Sequence, residues 1–340
     1  MGTRAIRDRA VRSSWSRRRV GVVGSGYMGQ GIAQVLAAAG AHVVVLDIDG
    51  DRAAASLAHL RTQARAFEAR GLWPAGRAEQ VAARTAAAAS MADGLPGTDL
   101  VVEAVVEDVR VKRDVLAAIE QHAPAAAPIA TNTSSIPIAE LAVALGDPSR
   151  LLGVHWFNPP QFVPGVEIIP GPGTDESTVT WLVALLRAAG KSPAVVSDGP
   201  GFVANRLQFA LFREAALLVE EGVAEPEQVD EVVRHSFGFR LPFFGPFAIA
   251  DMAGLDVYAG AFDTLRRAYG ERFAPPPALS ELVARGRLGT KSGGGFLALD
   301  QIQTRAMLAR RDSDYARLLE LLAADPDDTD AHADAQGAPR

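Results

Sequence analysis

Residues 19–47 read RVGVVGSGYMGQGIAQVLAAAGAHVVVLD, and this stretch decides the fold of the first half of the chain. It opens with β-branched valines, as a buried parallel strand requires. A glycine-rich turn over residues 24–29 follows, and apolar residues then recur at helical spacing as far as Ala39. A second valine-rich strand ends at Asp47. The stretch therefore predicts a strand, a turn, a helix and a second, parallel strand.

The turn, GSGYMG, fits the pattern G-x-G-x-x-G. Gly24 permits the tight turn, Gly26 lets a pyrophosphate approach the backbone, and Gly29 lets the helix and strand pack closely. The helix behind the turn can point free N–H groups at the phosphates. We therefore predict that these glycines, with Tyr27 and Met28 between them, bind a dinucleotide. A purely structural glycine turn is the alternative.

Asp47 ends the second strand of this unit. A carboxylate at that place can accept hydrogen bonds from both ribose hydroxyls of an adenosine. The next residues are Ile48 and Asp49, so no arginine directly follows Asp47 to hold the 2′-phosphate of NADP. The sequence therefore predicts NAD as the cofactor.

The composition of the whole chain is that of an ordinary globular protein. Its 340 residues are enough for two domains, and 48% of them are hydrophobic and 22% charged. A net charge of −6 gives no electrostatic reason to expect a nucleic-acid partner. The chain has no cysteine and no apolar run long enough to span a bilayer. We expect a cytoplasmic protein with no membrane partner, no disulfide and no thiolate metal site.

The two ends of the chain differ from the rest. Residues 1–18 are rich in arginine and contain a single acidic residue, Asp8. This composition fits a transit-like segment, a disordered basic extension or an over-long predicted start, and the poor apolar periodicity argues against the transit-like segment. Residues 324–340 are rich in Asp, Ala and Gly, so we expect a disordered acidic tail.

Strand and helix patterns alternate as far as about residue 198, and the pattern beyond is mostly helical. Gly199-Pro200-Gly201 is the best candidate for a linker, because the composition changes there. The fold class we expect is α/β. A Rossmann-type doubly wound sheet should occupy residues 19–198, and a smaller all-helical domain for substrate and dimer contacts should occupy 199–323.

Residues 53–89 are rich in alanine and arginine and predict a helical pair inserted after the second strand. Arg61, Arg65 and Arg70 could meet substrate phosphates there. A solvated helix face is the commoner explanation for such a run of charges.

Two further stretches lie where loops leave the carboxyl ends of predicted strands. Glu107 follows the strand that ends near Val102, and residues 131–135, TNTSS, follow the next one. Loops at these places contact the cofactor in a doubly wound sheet. The TNTSS turn is equally a helix cap, because Ser and Thr are favoured in caps.

His155 is the one histidine of six that ends a predicted strand in the first domain. A dehydrogenase needs a group that takes the hydroxyl proton as hydride leaves, and histidine titrates near the operating pH. Glu167 lies on the strand predicted to run beside it, and a carboxylate there can fix the imidazole tautomer. A structural histidine and a solvated carboxylate are the alternatives.

Five motifs, GSGYMGQGIAQ, VVEAVVEDVRVK, NTSSIPI, HWFNPP…VE and GPGFVANRL, occur in order over about residues 19–323. With them the chain resembles the 3-hydroxyacyl-CoA dehydrogenase family. The resemblance implies that NAD oxidises a secondary alcohol to a ketone, that no metal is needed, and that the protein is a homodimer through its helical domain.

The resemblance also implies a role for each matching residue. His155 is the general base, and Glu167, twelve residues on, pairs with it. Ser134 and Asn205 hold the oxygens of the substrate and orient its alcohol.

On the cofactor side, the resemblance implies that Glu107 and Lys112 line the nicotinamide half of the site. Asn132, in the same loop as the first serine of the NTSS motif, is expected to bind the cofactor with them.

The family resemblance does not identify the substrate as clearly as it identifies the reaction. The HWFNPPQ motif and the helix ending VEEG also resemble relatives that oxidise free hydroxy acids, and the helical pair over 53–89 is not lysine-rich. An acyl-CoA is the expected substrate, and a free hydroxy acid, a sugar acid or a carrier-protein thioester is the alternative. A non-catalytic NAD-binding protein is a third possibility, against which the complete set of site residues argues.

Overall fold

The computed structural model of the chain describes residues 15–298 and 300–323. The chain divides into two compact units, Met1–Phe212 and Arg213–Arg340. This division lies within the first helix after the linker expected at Gly199-Pro200-Gly201. Most of the basic extension expected at the start, and the acidic tail expected over 324–340, lie outside the described residues.

The strands of the first unit are short, and all but the two edge strands are mainly buried. They are β1 (Arg19–Val23), β2 (His42–Leu46), β3 (Thr85–Ala87), β4 (Leu100–Glu103), β5 (Ile129–Thr131), β6 (Leu151–Trp156), β7 (Gly165–Pro170) and β8 (Ser192–Val195). They form a single sheet in the order β3-β2-β1-β4-β5-β6-β7-β8. The pairings from β3 across to β6 are parallel, β7 runs antiparallel to β6, and β8 runs parallel to β7. The strand order reverses between β1 and β4, which is where doubly wound sheets bind their ligands.

Helices connect these strands and make up the second unit. Those that begin in the first unit are α1 (Tyr27–Ala39), α2 (Gly50–Ala69), α3 (Arg77–Arg84), α4 (Met91–Gly94), α5 (Val109–His122), α6 (Ile138–Ala142), α7 (Glu176–Ala188) and α8 (Ala204–Glu220). Those of the second unit are α9 (Pro226–His235), α10 (Phe237–Arg240), α11 (Pro246–Ala253), α12 (Leu255–Tyr269), α13 (Pro277–Ala284) and α14 (Gln301–Ala323). Within the described residues, no helix is long and apolar enough to cross a membrane.

Both faces of the sheet are covered, because alternate residues of each strand enter different cores. Val43 and Val45 of β2 belong to one buried cluster, and Val44 and Leu46 belong to the other. Helices α1 and α7 contribute to the first cluster, and α5 and α6 contribute to the second. The doubly wound sheet with a helical second part, predicted from the sequence, is confirmed.

The second unit has a small core of its own. Ala250, Leu255 and Leu279 are buried together there. The buried carboxylate of Asp251 accepts hydrogen bonds from the backbone N–H groups of Phe296 and Leu297, at 3.0 and 2.8 Å. It thereby holds the segment before α14 against α11.

The structure departs from the sequence interpretation in a few local elements. Residues 85–87, taken as part of the helical pair, form β3 on the edge of the sheet. Three short helices, α4, α10 and α11, were not predicted.

The basic extension expected over residues 1–18 is wrong for its last four residues. Trp15 is fully buried, and its indole N–H donates to the carbonyl of Leu185 at 2.7 Å. Arg18 pairs with Asp99 at 3.0 Å. Both contacts are to the first unit, so the folded part of the chain begins no later than Trp15.

Candidate active site

A cavity of about 580 Å³ opens where the strand order reverses, between the loops that follow β1 and β4. Four predicted cofactor residues of the glycine turn and the predicted ribose carboxylate line it. These are Gly24, Gly26, Tyr27, Met28 and Asp47. The rest of the lining is mainly apolar and includes residues of the loop after β4 and of α5.

The three glycines of the turn have different surroundings. Gly24 has a φ of 94°, in the left-handed region. A Cβ on Gly29 would lie 1.9 Å from the carbonyl oxygen of Gly24, so only glycine lets α1 come this close to β1. A Cβ on Gly26 would meet nothing within 4 Å. Gly26 therefore borders open space, as a backbone that receives a pyrophosphate must.

The carboxylate of Asp47 is anchored at the end of β2. It accepts hydrogen bonds from the N–H of Ser25 at 2.8 Å and of Ile48 at 2.9 Å, and also from the Ser25 hydroxyl. Arg52 Nε lies 3.4 Å from it. Burial raises the pKa of Asp47, but these hydrogen bonds and the Arg52 charge outweigh it and lower the pKa below its ordinary value. The carboxylate is therefore ionised at neutral pH.

Arg52 was not identified from the sequence. It lies five residues after Asp47, in the first turn of α2, and it also lines the cavity. An arginine in the first turn of the helix after the ribose acid is the signal that could have found it.

A buried ion-pair cluster lies beneath the loop after β4. Lys112 of α5 is completely buried, and its ammonium lies 2.9 Å from the carboxylate of Glu103 and 3.4 Å from that of Glu107. Glu103 also accepts hydrogen bonds from the N–H of Val105 at 2.7 Å and the hydroxyl of Thr131 at 2.5 Å. Glu103 was not among the predicted site residues.

Glu107 connects this cluster to the turn that contains Ser134. Its carboxylate accepts hydrogen bonds from the hydroxyl of Thr133 at 2.7 Å and from the N–H groups of Ser134 and Ser135 at 2.8 and 3.1 Å. Burial raises the pKa of Glu107, but these donors and the Lys112 charge more than offset it, so the pKa lies below its ordinary value.

The carbonyl side of Ser134 is held by a different element. The side-chain amide of Asn205, in the first turn of α8, donates to the carbonyl of Ser134 at 2.7 Å. The N–H of Gly201 donates to the carbonyl of Ser135 at 3.2 Å. The carbonyls of the turn over residues 131–135 therefore accept hydrogen bonds from the segment around the start of α8.

His155 and Glu167 face each other across β6 and β7. They are register partners in the antiparallel pairing, and His155 Nδ1 lies 2.8 Å from Glu167 Oε2. Both side chains are buried. This geometry lets the Nδ1–H donate to the carboxylate, which leaves Nε2 as the proton acceptor of a neutral imidazole.

The second carboxylate oxygen of Glu167 has partners that the sequence did not suggest. Oε1 accepts hydrogen bonds from the N–H groups of Val203 at 3.0 Å and Ala204 at 2.9 Å, where α8 begins. A helix N-terminus favours a negative charge. Phe202, two residues before α8, is buried and has a φ of 48°. Its ring centroid lies 5.8 Å from that of His155.

Asn132 links the turn to the strand that contains His155. Its side-chain oxygen accepts a hydrogen bond from the N–H of Trp156 at 2.9 Å. Asn132 is thus brought beside His155, while the glycine turn and Asp47 lie along the cavity.

The arginines of the helical pair are placed differently from one another. The Arg61 guanidinium donates to the carbonyls of Ala82 at 3.0 Å and Thr85 at 2.5 Å, so it joins α2 to the end of α3. Arg65 and Arg70 are exposed. A structural role is therefore favoured for Arg61.

Two models of one known family match consecutive parts of the chain. The model described as "3-hydroxyacyl-CoA dehydrogenase, NAD binding domain" matches residues 19–199, and the one described as "3-hydroxyacyl-CoA dehydrogenase, C-terminal domain" matches residues 201–299. The chain belongs to the 3-hydroxyacyl-CoA dehydrogenase family. It is accordingly an NAD-dependent oxidoreductase, and the open Gly26 backbone and the ionised Asp47 fit NAD.

Individual family members differ in what they are named for. The 5-formyl-3-hydroxy-2-methylpyridine 4-carboxylate 5-dehydrogenase of Mesorhizobium japonicum is 35% identical, over 86% of this chain and 94% of that relative. A probable 3-hydroxybutyryl-CoA dehydrogenase of Bacillus subtilis is also 35% identical, over 82% and 96%. The crystal structure of a 3-hydroxyacyl-CoA dehydrogenase from Archaeoglobus fulgidus is similar with a TM-score of 0.74 at 32% identity, covering 91% of this chain and all of that one.

Proposed function

We propose that the protein oxidises the 3-hydroxyl group of a 3-hydroxyacyl-CoA, or reduces the corresponding ketone, with NAD as the hydride carrier. The observation that carries this proposal is the buried His155–Glu167 pair at 2.8 Å. It lies on the sheet that binds the cofactor, beside the turn that contains Ser134. An imidazole held in this way can accept a hydroxyl proton at neutral pH.

In the proposed reaction, Nε2 of His155 accepts the proton of the substrate hydroxyl. Glu167 holds the imidazole in the required tautomer and stabilises the imidazolium that forms. Bound NAD supplies the chemistry of the step, as the acceptor of the hydride. The Ser134 hydroxyl orients the alcohol oxygen and excludes unproductive orientations.

We assign supporting roles to two of the remaining site residues, which hold other site residues in place and do not contact the substrate themselves. Asn205 acts by holding the backbone of Ser134, and the fully buried Lys112 acts by holding Glu107. Glu107 and Asn132 are proposed to border the nicotinamide half of the cofactor.

A free hydroxy acid is the second candidate for the substrate, for a specific reason. The guanidinium of Arg61 already donates hydrogen bonds to backbone carbonyls, so it is less available to bind a CoA phosphate than an exposed lysine would be. The Mesorhizobium japonicum relative is named for a pyridine carboxylate.

The experiment that separates these candidates follows the absorbance of NADH. The purified protein is mixed with NADH and acetoacetyl-CoA, with NADH and free acetoacetate, and with NAD and a panel of sugar acids and hydroxy acids. Turnover of the CoA ester alone supports the acyl-CoA proposal, and turnover of free acids alone contradicts it. His155→Gln should abolish turnover while NADH still binds, and a non-catalytic NAD-binding protein would give no turnover with any substrate.

We also propose that the enzyme is a homodimer through its helical part. Helix α8 has no buried residue, and Leu207, Phe209 and Phe212 on it are each more than half exposed. Apolar side chains on one helix at this exposure favour a protein partner, and a second copy is the partner that the family resemblance implies. A monomer mass in light scattering would contradict the proposal.

A further inference from the structure

Lysine is rare in this chain. Only three of its 34 lysine and arginine residues are lysines, namely Lys112, Lys191 and Lys291. The two side chains are not interchangeable, because lysine presents a compact ammonium and arginine a planar fork. A chain that otherwise uses arginine is expected to keep lysine where a compact ammonium is required. Lys112 belongs to the site already described and Lys291 pairs with Asp256, which leaves Lys191 unexplained.

Within the part of the chain that the structure describes, Lys191 is a buried cation without a carboxylate partner. It lies between α7 and β8 and is 7% exposed. Its ammonium donates to the backbone carbonyls of Pro160 and of Val163, the latter at 2.7 Å, and lies 5.4 Å from the centroid of the Trp156 ring. Among the residues that line the adjacent cavity, Arg77 of α3 is the other charged one. The charge is therefore balanced by carbonyl dipoles and an aromatic face.

The two carbonyls belong to the connection between β6 and β7, residues 157–164. This connection joins His155 to Glu167, and its first residue, Phe157, has its ring centroid 4.6 Å from that of His155. Trp156, beneath the ammonium, also donates its N–H to Asn132.

A second set of contacts tethers the other side of this connection. The side-chain amide of Gln161 donates to Gln34 of α1 at 2.6 Å, and the Phe162 ring lies edge-on to Phe67 of α2 at 5.1 Å. These contacts do not depend on Lys191, so its loss should shift the connection rather than unfold it.

We propose that Lys191 is a positioning residue for the His155–Glu167 pair, whose ammonium holds the β6–β7 connection in its working geometry. The proposal rests on the proposed dehydrogenase function for its catalytic consequence. Its structural content, that the ammonium orders residues 157–164, stands independently of any substrate.

The position of Lys191 gives the proposal a consequence in the pH profile. Burial lowers the pKa of Lys191 to about 8, so the proton is lost within the range in which alcohol oxidation is measured. Loss of the Lys191 proton should therefore lower kcat on the alkaline side of the oxidation profile.

The catalytic test compares three proteins in the oxidation direction between about pH 6.5 and pH 10. Wild type should lose kcat above about pH 8. Lys191→Met should have a kcat about tenfold lower at pH 7 and show no alkaline decline, because a small displacement of a catalytic group is costly. Arg187→Met, which removes an exposed cation from α7, should follow wild type. A Lys191→Met enzyme with the wild-type kcat, or with the same alkaline decline, would overturn the proposal.

A substrate-free test separates failure of this proposal from failure of the proposed function. Protein labelled with ¹³C at lysine Cε gives three signals, and the one absent from Lys191→Met should titrate near pH 8. Amide hydrogen exchange over residues 157–164 should be faster in Lys191→Met than in wild type or Arg187→Met. Unchanged exchange would refute the positioning role whatever the turnover. Faster exchange in a protein that does not turn over a 3-hydroxyacyl-CoA would uphold the structural role and contradict the proposed function.

Discussion

The side chain of Asn205 donates a hydrogen bond to the backbone carbonyl of Ser134 at 2.7 Å. Glu107 accepts from the N–H of the same residue, so Ser134 is held from both sides by elements distant in the sequence. The start of α8 therefore helps to set where the serine hydroxyl points. The role implied by the family resemblance, in which Asn205 itself holds a substrate oxygen, stays a prediction beside this one.

Asn205→Ala should lower kcat/KM by about a hundredfold with the affinity for NADH unchanged, because it frees the carbonyl of Ser134 and misplaces its hydroxyl. Ser134→Ala should cost a similar factor. If both residues act through one hydroxyl, the double variant should be no worse than the more damaged single variant. Steady-state kinetics on the three variants measures this. Multiplicative losses would show that Asn205 contacts the substrate on its own.

Glu167→Gln should lower kcat by on the order of a thousandfold, because the amide cannot stabilise the imidazolium and favours the wrong tautomer of His155. The thermal midpoint should also fall by a few degrees, since a charge is removed from the N–H groups that begin α8. Both are measured on one preparation, by turnover and by thermal denaturation. Glu176→Gln, which neutralises an exposed carboxylate on α7, is the control. A lower thermal midpoint with an unchanged kcat would mean that Glu167 stabilises the start of α8 and has no part in catalysis.

The pairing of His155 with Glu167 could be predicted from the sequence, because the two residues lie twelve apart on strands that were expected to be neighbours. The second set of contacts of Glu167 could not. It depends on the chain after β8 returning to the carboxyl edge of β6, and no local pattern encodes that return. The glycine turn was predictable for the opposite reason, since Gly24 and Gly29 each meet a local steric requirement and Gly26 leaves open space for the pyrophosphate.

Other omissions have identifiable physical causes. The strand β3 is Thr85-Ala86-Ala87, in which the two alanines have low strand propensity, and it is extended because it pairs with β2. The burial of Trp15 was not predicted, because this residue lies in a segment whose composition is dominated by arginine. Lys191 could have been noticed, because the scarcity of lysine is visible in the sequence alone.

Glu107→Gln should destabilise the protein at neutral pH and should not do so in acid. The pKa of Glu107 is lowered in the folded protein from an ordinary value of 4.5, so its charge stabilises the fold above that value and this contribution is lost as the pH falls through the folded pKa. Denaturant unfolding of wild type and variant should therefore differ at pH 7, and the difference should disappear as the pH falls through the lowered pKa of Glu107. A constant difference across this range would mean that the carboxylate contributes through packing alone.

Asp47→Ser should convert the cofactor preference from NADH towards NADPH, and Arg52 should be the reason. In the wild type Arg52 Nε lies 3.4 Å from the Asp47 carboxylate and both line the cavity, so the carboxylate repels a 2′-phosphate that the guanidinium could otherwise bind. Removing the carboxylate should raise kcat/KM for NADPH by about a hundredfold and lower that for NADH by at least tenfold, which corresponds to about 2.7 and 1.4 kcal/mol.

The control for this prediction is the pair Arg52→Ala and Asp47→Ser/Arg52→Ala. Arg52→Ala alone should change NADH kinetics little, because its side chain is 71% exposed and the Asp47 carboxylate keeps its hydrogen bonds from Ser25 and Ile48. The double variant should lose the gain in NADPH use. Equal NADPH turnover by the single Asp47→Ser variant and the double variant would mean that Asp47 excludes NADP unaided and that Arg52 has no part in cofactor choice.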